Sequence, residues 1–489
     1  MASLETLTGL TASQLRGRSR ITLCKGLSEF PKELFELAET LEILEASDNC
    51  FERLPDEFAT LHRLKAVFFN NNAFRTFPTV LKACPNLSVI SFKGNHMAEI
   101  EEGVLSTAVR WLVMTNNQLT HLPADIGKLT QLQKLMLTGN QLTHLPAEMA
   151  ACQRLALLRI AANRLTELPE WLLSLPRLAW LAYSGNPCAE AAQREVLNRL
   201  SAAEKLRLIS PETLAWGEVL GEGASGVIYQ GCWRAPEESQ GRAVALKVFK
   251  GEMTSDGSPQ AEMQACIAAG AHPNLVEVLG RLETDADGPM THQPMAGEAD
   301  GADGADGADG VKAEGLVLSL IPPEYQNLGA PPSLDSCTRD TYAETASFSI
   351  PLILKMMQGI AGAIAHLHQR GLMHGDLYAH NILFNDVGKS FLGDFGAASF
   401  YDTKAVESVH ALERLEVRAF GCLLEDLLNR VALQQTAPLQ PQKASVVARL
   451  WALQKDCVNT TTTQRPLFSA ICKRLVSIHE ESYLLNEAP

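Results

Sequence analysis

The stretch His374-Gly375-Asp376-Leu377-Tyr378-Ala379-His380-Asn381 is followed by Asp394-Phe395-Gly396, thirteen residues beyond Asn381. Two carboxylates and one carboxamide in this order are the parts that phosphoryl transfer needs. Asp376 can accept a hydroxyl proton. Asn381 and Asp394 offer oxygen donors that can hold Mg2+ against the phosphates of ATP. Upstream, Leu220-Gly221-Glu222-Gly223-Ala224-Ser225-Gly226-Val227 reads G-x-G-x-x-G-x-V. Alone this is a weak signal, because dinucleotide-binding folds share its first six positions. The residues that follow decide it. Val227-Ile228-Tyr229 are β-branched and aromatic, so the loop returns into a strand rather than a helix. Val244-Ala245-Leu246-Lys247 predicts a second strand, ending in an ammonium group that can neutralise phosphates. Glu262, on the helix predicted after Pro259, is placed to pair with Lys247, and Glu252 is a weaker rival.

Jointly, these motifs resemble those of the eukaryotic-type protein kinase family over roughly Glu212 to Ile478, apart from one insert. The resemblance implies an α+β bilobal domain that binds ATP and Mg2+. It implies nucleotide contacts from Gly221, Glu222, Gly223, Ala224, Ser225, Gly226, Val227, Ala245 and Lys247. Leu318, Ser319, Leu320 and Ile321 become the end of a fifth strand and the hinge beside adenine, with Leu383 lining the same pocket. Asp376 becomes the catalytic base and Glu262 the partner of Lys247, while Asn381 and Asp394 become the metal ligands. Arg465-Pro466-Leu467-Phe468 resembles the Arg-Pro-x-Phe element near the end of the helical lobe.

Three departures stand out. Gly375 replaces an Arg that usually pairs with a phosphorylated activation loop, so activity should not depend on such a phosphate. Tyr378 stands where Ser/Thr kinases carry a Lys, and losing a cation there could lower the rate. His380 is a weak substitute. Only 26–27 residues separate Asp394 from Phe420-Gly421, without Ala-Pro-Glu between them. Glu416 occupies the place where the central helix usually has Asp, and Arg465 lacks its usual Glu, so another carboxylate is expected to serve.

The first 200 residues follow a different rule. Asn49, Asn72, Asn95, Asn117, Asn140, Asn163 and Asn186 recur at intervals of 23, 23, 22, 23, 23 and 23. Apolar residues precede them at −8, −5 and −3, as Leu132, Leu135 and Leu137 precede Asn140. Leu-Pro follows several of them, at Leu122-Pro123, Leu145-Pro146 and Leu168-Pro169. This is the leucine-rich repeat pattern, and the stacked units predict an α/β solenoid with a ladder of asparagine amides. A degenerate first unit runs through Ile21, Leu23, Leu27 and Phe30-Pro31, and residues 188–205 read as a helical cap. Phe68, Lys93, Trp111, Val113, Lys134, Met136, Arg159 and Trp180 line the predicted concave face. Aromatic residues in such a row suggest a protein partner. Ahead of the second half, the array makes the whole chain resemble a leucine-rich repeat protein kinase.

The expected organisation is a repeat domain at 1–205, a linker at 206–211 and a kinase-like domain at 212–480. A linker this short predicts contact between the domains. Gly-Ala-Asp repeats fill an insert at 283–315, too small and acidic to bury apolar area, and are expected to be disordered. The formal net charge of −14 argues against nucleic-acid binding. No run of 18 apolar residues predicts a membrane span, and Met1 to Arg20 lack a secretion core. Eleven cysteines without C-x-x-C pairs suit reduced thiols in the cytoplasm.

Three functional readings remain. The leading one is an ATP- and magnesium-dependent serine/threonine protein kinase that recruits a partner through its repeats. A pseudokinase scaffold is the second, favoured by Tyr378 and the short activation segment. The third is a small-molecule phosphotransferase, because His-Gly-Asp without Ala-Pro-Glu also resembles aminoglycoside-type enzymes. Against it stand the full glycine loop, His272-Pro273-Asn274 and Arg465-Pro466.

Overall fold

A computed structural model describes residues 17–200, 207–223, 225–234, 241–250, 253–284, 313–404, 406–431 and 441–484. The repeat half builds one parallel sheet of eight three-residue strands. These are β1 (Arg20–Thr22), β2 (Ile43–Glu45), β3 (Ala66–Phe68), β4 (Val89–Ser91), β5 (Trp111–Val113), β6 (Lys134–Met136), β7 (Leu157–Arg159) and β8 (Trp180–Ala182). Most rungs return through a Pro-initiated turn of 3-10 helix or, in the last unit, the short helix α1 (Glu170–Ser174), while the return between β4 and β5 has no helix. The helix α2 (Pro187–Arg199) closes the stack, within the expected cap.

The recurrent asparagine explains the period. Asn140 Oδ1 accepts from the Leu119 N–H at 3.0 Å, one rung back. Its Nδ2 donates to the carbonyls of Met114, at 2.9 Å, and Leu137, at 2.8 Å. Asn163 repeats this with Leu142, Leu137 and Ile160, and Asn186 with Leu165, Ile160 and Tyr183. One buried amide thus satisfies backbone groups of two successive turns, which no apolar side chain could do. The leucines at −8, −5 and −3 fill the space between rungs; Leu132, Leu135 and Leu137 are fully buried.

The second half opens with an edge strand in the stretch expected as a linker. β9 (Leu208–Ile209) lies parallel to β13 (Val278–Thr284). With β10 (Leu214–Glu222), β11 (Gly226–Trp233), β12 (Arg242–Phe249) and β14 (Ala313–Ser319) they form a sheet of order β10-β11-β12-β14-β13-β9. The ends of β13 and β14 take in residues 283–284 and 313–315, so the expected insert is shorter than its predicted bounds. Its Gly-Ala-Asp repeats lie outside the described residues. The helix α3 (Pro259–Ala269) packs on the sheet. Ser258 Oγ caps it by accepting from Ala261 N–H at 3.1 Å, and Pro259 fits its first position.

The rest is mainly helical. The segment between sheet and helices carries β15 (Gln326–Asn327), then α4 (Ile350–Gln369) begins. The stretch that follows holds β16 (Leu372–Met373), β17 (Ile382–Phe384), β18 (Ser390–Leu392) and β19 (Ser399–Phe400), and α5 (Val406–Leu428), α6 (Pro441–Cys457) and α7 (Phe468–Leu484) come after it. By length and composition α4 could cross a membrane, but Ile353, Leu354, Met357, Ile360, Ile364 and Leu367 are buried in the protein core.

The two halves share their apolar interior. Met373, Tyr401, Leu412 and Leu415 of the second half pack within the repeat core. Leu157, Trp180 and Val196 of the repeats pack within the helical core. Burial across this boundary removes apolar surface from water on both sides, which favours one docked arrangement.

Replacing Asn140 by Ala would strand the Leu119 N–H and two carbonyls in the solenoid core. We expect a loss of about 1–3 kcal/mol, read as a lower denaturant midpoint at unchanged m-value.

Candidate active site

The site begins with two neighbouring strands. In their antiparallel register Lys247 on β12 lies opposite Ile228 on β11, and Val227 opposite Val248. Gly221 and Glu222 end β10, while Gly226 and Val227 begin β11, so the glycine loop is the hairpin between them. Gly223 N–H donates to the Gly226 carbonyl at 2.9 Å. A Cβ on Gly226 would stand 2.3 Å from the Val248 carbonyl oxygen, so the close strand approach requires glycine there. Ala224 lies outside the described residues; Ser225 follows it at the hairpin tip. Ala245 pairs in register with Leu318, and Ser319 ends β14, leaving Leu320 and Ile321 as the chain that leaves the sheet. Leu383 lies on β17 of the helical part.

Lys247 reaches across to α3 and forms an ion pair with Glu262. Both side chains are largely buried, with 14% and 2% exposed. Burial by itself would lower the Lys247 ammonium. The Glu262 and Asp394 carboxylates outweigh it and hold Lys247 above its ordinary value, so it is a cation at neutral pH. Glu252 lies outside the described residues. Glu262 Oε2 is buried without a hydrogen-bond partner, and the Asp394-Phe395-Gly396 turn passes nearby. Asp394 has φ of 57° and its Oδ1 accepts from Gly396 N–H at 3.1 Å.

The catalytic-loop residues close on each other. Asn381 Nδ2 donates to the Asp376 carbonyl at 2.9 Å and to Asp376 Oδ2 at 2.8 Å. Both amide hydrogens are thereby used inside the loop, and the Asn381 oxygen is left to face a ligand. Beneath the loop, Glu416 on α5 accepts from Gly375 N–H at 2.6 Å and meets His368 Nε2 at 2.9 Å. Burial would raise the Glu416 carboxyl, but His368, His374 and the Gly375 N–H together hold it below its ordinary value. His380 is turned away from the cleft towards Asp340, with Nδ1 2.7 Å from Oδ1. Burial opposes its charge, but Asp340 lifts its pKa above the usual range.

The loop's outer side is where expectation and structure part. The concave face of the repeats was read as a surface for another protein. Its later rungs instead cover the second half of the same chain. Arg159 of β7 is 1% exposed, and its guanidinium contacts three groups of the second half. Its Nε donates to Asp256 Oδ1 at 2.5 Å, its Nη1 to the Gly375 carbonyl at 3.0 Å and its Nη2 to Asp376 Oδ1. Trp180 stacks on Tyr378 at 4.4 Å between ring centroids and 6° between planes, and its Nε1 donates to the Leu377 carbonyl at 3.0 Å. Arg110 donates to the Leu334 and Asp335 carbonyls beside Trp111. Lys134 sits over the Trp111 ring at 4.2 Å. Phe68 and Lys93, nearer the first rung, are half-buried.

Gly375 makes this fit possible. Its φ is 76°, and a Cβ there would lie 2.5 Å from the Ala397 carbonyl oxygen and 2.6 Å from that of Leu181. An L side chain would meet both strain and clash. The loss of Arg at this position is therefore also a packing requirement of the repeat domain.

The activation segment is shorter than its sequence suggested. Between Gly396 and α5 the described residues form only β19, paired with β16, and no helix. Repeat residues fill that side. Tyr183 N–H donates to Ser399 Oγ at 3.0 Å, and its hydroxyl to the Phe400 carbonyl at 3.1 Å. Arg465 was expected to find another carboxylate. It binds three carbonyls instead: Asn459 at 2.9 Å, Arg414 at 3.0 Å and Pro176 of the repeat domain at 2.8 Å. Burial, with no carboxylate in contact, pushes Arg465 down to about 10.

Sequence reasoning missed Asp256, Asp340 and Tyr183, and it read Arg159 and Trp180 as facing another protein. The one available signal was Arg159 itself, the charged residue in two strands, Leu157–Arg159 and Trp180–Ala182, that are otherwise apolar.

Comparison with known proteins follows the same division. A leucine rich repeat family matches residues 107–165 and 130–187. The family of protein tyrosine and serine/threonine kinases matches 214–300, and the protein kinase domain family matches 333–413. The chain is similar to an epidermal growth factor receptor of Apis mellifera, 28% identical over 199 residues, covering 40% of this chain and 12% of that protein. A probable serine/threonine-protein kinase of Dictyostelium discoideum, kinY, is 23% identical over 312 residues, covering 55% of this chain and 49% of the relative. A probable inactive L-type lectin-domain containing receptor kinase of Arabidopsis thaliana is 32% identical over 109 residues, or 20% and 17% of the two chains. The chain thus spans between 12% and 49% of the length of these relatives.

Removing Glu416 would leave the Gly375 N–H and the His368 imidazole facing an empty, buried site. Glu416→Ala should destabilise the protein by about 3–5 kcal/mol in equilibrium denaturation. Its carboxyl is lower in the folded state than in the unfolded. The stabilisation is therefore complete above the ordinary carboxylate range and is lost as pH falls through the folded value. Wild-type stability should drop more steeply than that of the variant on acidification below about pH 4.5.

Proposed function

Taking as premise that this chain joins leucine-rich repeats to a protein kinase domain, we propose an ATP- and magnesium-dependent kinase that phosphorylates serine or threonine hydroxyls of proteins. The observation that carries this reading is the Lys247–Glu262 ion pair, with the Asp394 carboxylate close enough to hold Lys247 charged. A buried ammonium held by a carboxylate and facing the cleft is what a bound nucleotide's phosphates need.

The residues suit the group they would hold. Lys247 presents a permanent cation to phosphate oxygens. The Asn381 amide oxygen and the Asp394 carboxylate are hard oxygen donors. Two protein ligands match the habit of Mg2+, which takes its remaining positions from water and phosphate. ATP bound there would supply the transferable phosphoryl group, and Mg2+ would neutralise its charge. Asp376 keeps 15% of its side chain exposed. A carboxylate has about four acceptor sites, and Arg159 and Asn381 take one each, so Asp376 can still accept a hydroxyl proton. Glu416 holds the loop from below through Gly375.

A second reading, a non-catalytic scaffold, draws on Tyr378 locked under Trp180 where a cation is expected. Partner recruitment is assigned to the first rungs, before Arg110, which the described seam contacts leave out. Eleven free thiols suit the cytoplasm as the place of action.

Purified full-length protein with Mg-ATP should phosphorylate a generic serine/threonine protein substrate. Asp376→Asn should lower kcat by about 10²-fold or more. Turnover that survives both this change and Lys247→Met would remove the assigned chemistry. Absence of any turnover, with Mg-ATP still bound, would favour the scaffold.

A further inference from the structure

We propose that Arg159, supplied by the repeat domain, is a positioning residue that holds the catalytic loop and α3 in working register. The inference rests on the kinase reading above and adds a device from outside the kinase domain. Its guanidinium bridges the catalytic loop and the turn that leads into α3. Nε meets Asp256, two residues before the Ser258 cap of α3. Nη1 and Nη2 meet Gly375 and Asp376 of the loop. Moving either element alone would break one side of this bridge and leave the buried guanidinium short of a partner, which is unfavourable.

The neighbouring contacts act in the same sense. The loop ahead of α3 is held by the repeats at two more points: Thr138 Oγ1 donates to the Ser255 carbonyl at 2.6 Å, and Asn116 Nδ2 to that of Met253 at 3.4 Å. Gln193 on α2 hydrogen-bonds Gln264 on α3 itself. Because α3 carries Glu262, a fixed α3 fixes the Lys247–Glu262 pair. The repeats therefore hold three parts of the site at once: the approach to α3, the catalytic loop and the Ser399–Phe400 strand. The loop has neither Arg at 375 nor Lys at 378, and Arg159 brings a cation to Asp376 from outside.

The exposure pattern argues for support over obstruction. Arg159 is 2% exposed at its side chain, beneath the surface, whereas Asp376 and Asp256 keep 15% and 36%. Part of the Asp376 carboxylate thus stays open beside the guanidinium that holds it.

The test uses the full chain and five proteins: wild type, Arg159→Ala, Arg159→Lys, Asp256→Ala and the variant that combines Arg159→Ala with Asp256→Ala. Three quantities are measured: kcat and KM, the Kd of a fluorescent Mg-bound ATP analogue, and amide hydrogen exchange without nucleotide. Arg159→Ala should lower kcat about 10- to 100-fold, leave the nucleotide Kd within about twofold, and speed exchange in 255–262 and 374–381 together. Arg159→Lys should recover part of the rate. Asp256→Ala, which leaves Arg159 its contacts with Gly375 and Asp376, should lower kcat less. Combined with Arg159→Ala it should add little, because both act through one bridge. Unchanged exchange in those two segments would overturn the proposal, and so would an unchanged or raised kcat in Arg159→Ala. A raised kcat would identify the contact as a brake. If wild type shows no turnover, the kinase reading fails, and the exchange data alone decide whether Arg159 positions the two segments.

Discussion

A guanidinium that is 1% exposed must find its partners inside the protein, since an unpaired buried charge costs several kcal/mol. Arg159 finds Asp256 and Asp376 in a domain that begins some fifty residues further along the chain. That requirement fixes how the two halves meet. Once Arg159 is seated, Trp180 falls against Tyr378, and Tyr183 against Ser399 and Phe400. The glycine at 375 is the complementary condition, because any side chain there would push the Leu181 strand away. Charge pairing and steric permission act at the same point.

This arrangement gives the short activation segment a physical reading. The segment from Gly396 to α5 is too brief to wrap the outer side of the catalytic loop on its own. The last rungs of the solenoid cover that side, and Arg465, which lacks a carboxylate, is satisfied partly by the Pro176 carbonyl. What the second domain lost in its own chain is made good by the first. The apolar interior agrees, since Met373 and Tyr401 pack with the repeats and Trp180 with the helices. The domain boundary legible in the sequence is not a boundary in packing.

Much was readable from the chain. The repeat period was legible because one chemical need, an amide bridging two backbone turns, recurs at every rung with the same side chain. Lys247, Asp376, Asn381 and Asp394 stand out in the chain because phosphate chemistry restricts which side chains can serve and in what order, and the structure brings Lys247 to Glu262 and Asn381 to Asp376. Helix α3 was legible through Pro259, which suits a first helical position, and the structure adds Ser258 as its cap. The seam was not. Its contacts join residues 71 to 289 positions apart, and no local propensity reports them. Arg159 and Trp180 did stand out as members of a ligand-facing row. What could not be read was that the ligand is the remainder of the chain. The partner of Arg465 was missed for a related reason: a carbonyl leaves no trace in side-chain chemistry.

The central claim is that the repeats and the kinase domain form one packed body with the catalytic loop at its seam. Calorimetric unfolding of the full chain addresses it most directly. The account predicts a single cooperative transition, with calorimetric and van't Hoff enthalpies in agreement, that shifts as a unit when Trp180 is replaced by Ala. Two separable transitions, only one of them moved by that substitution, would contradict it.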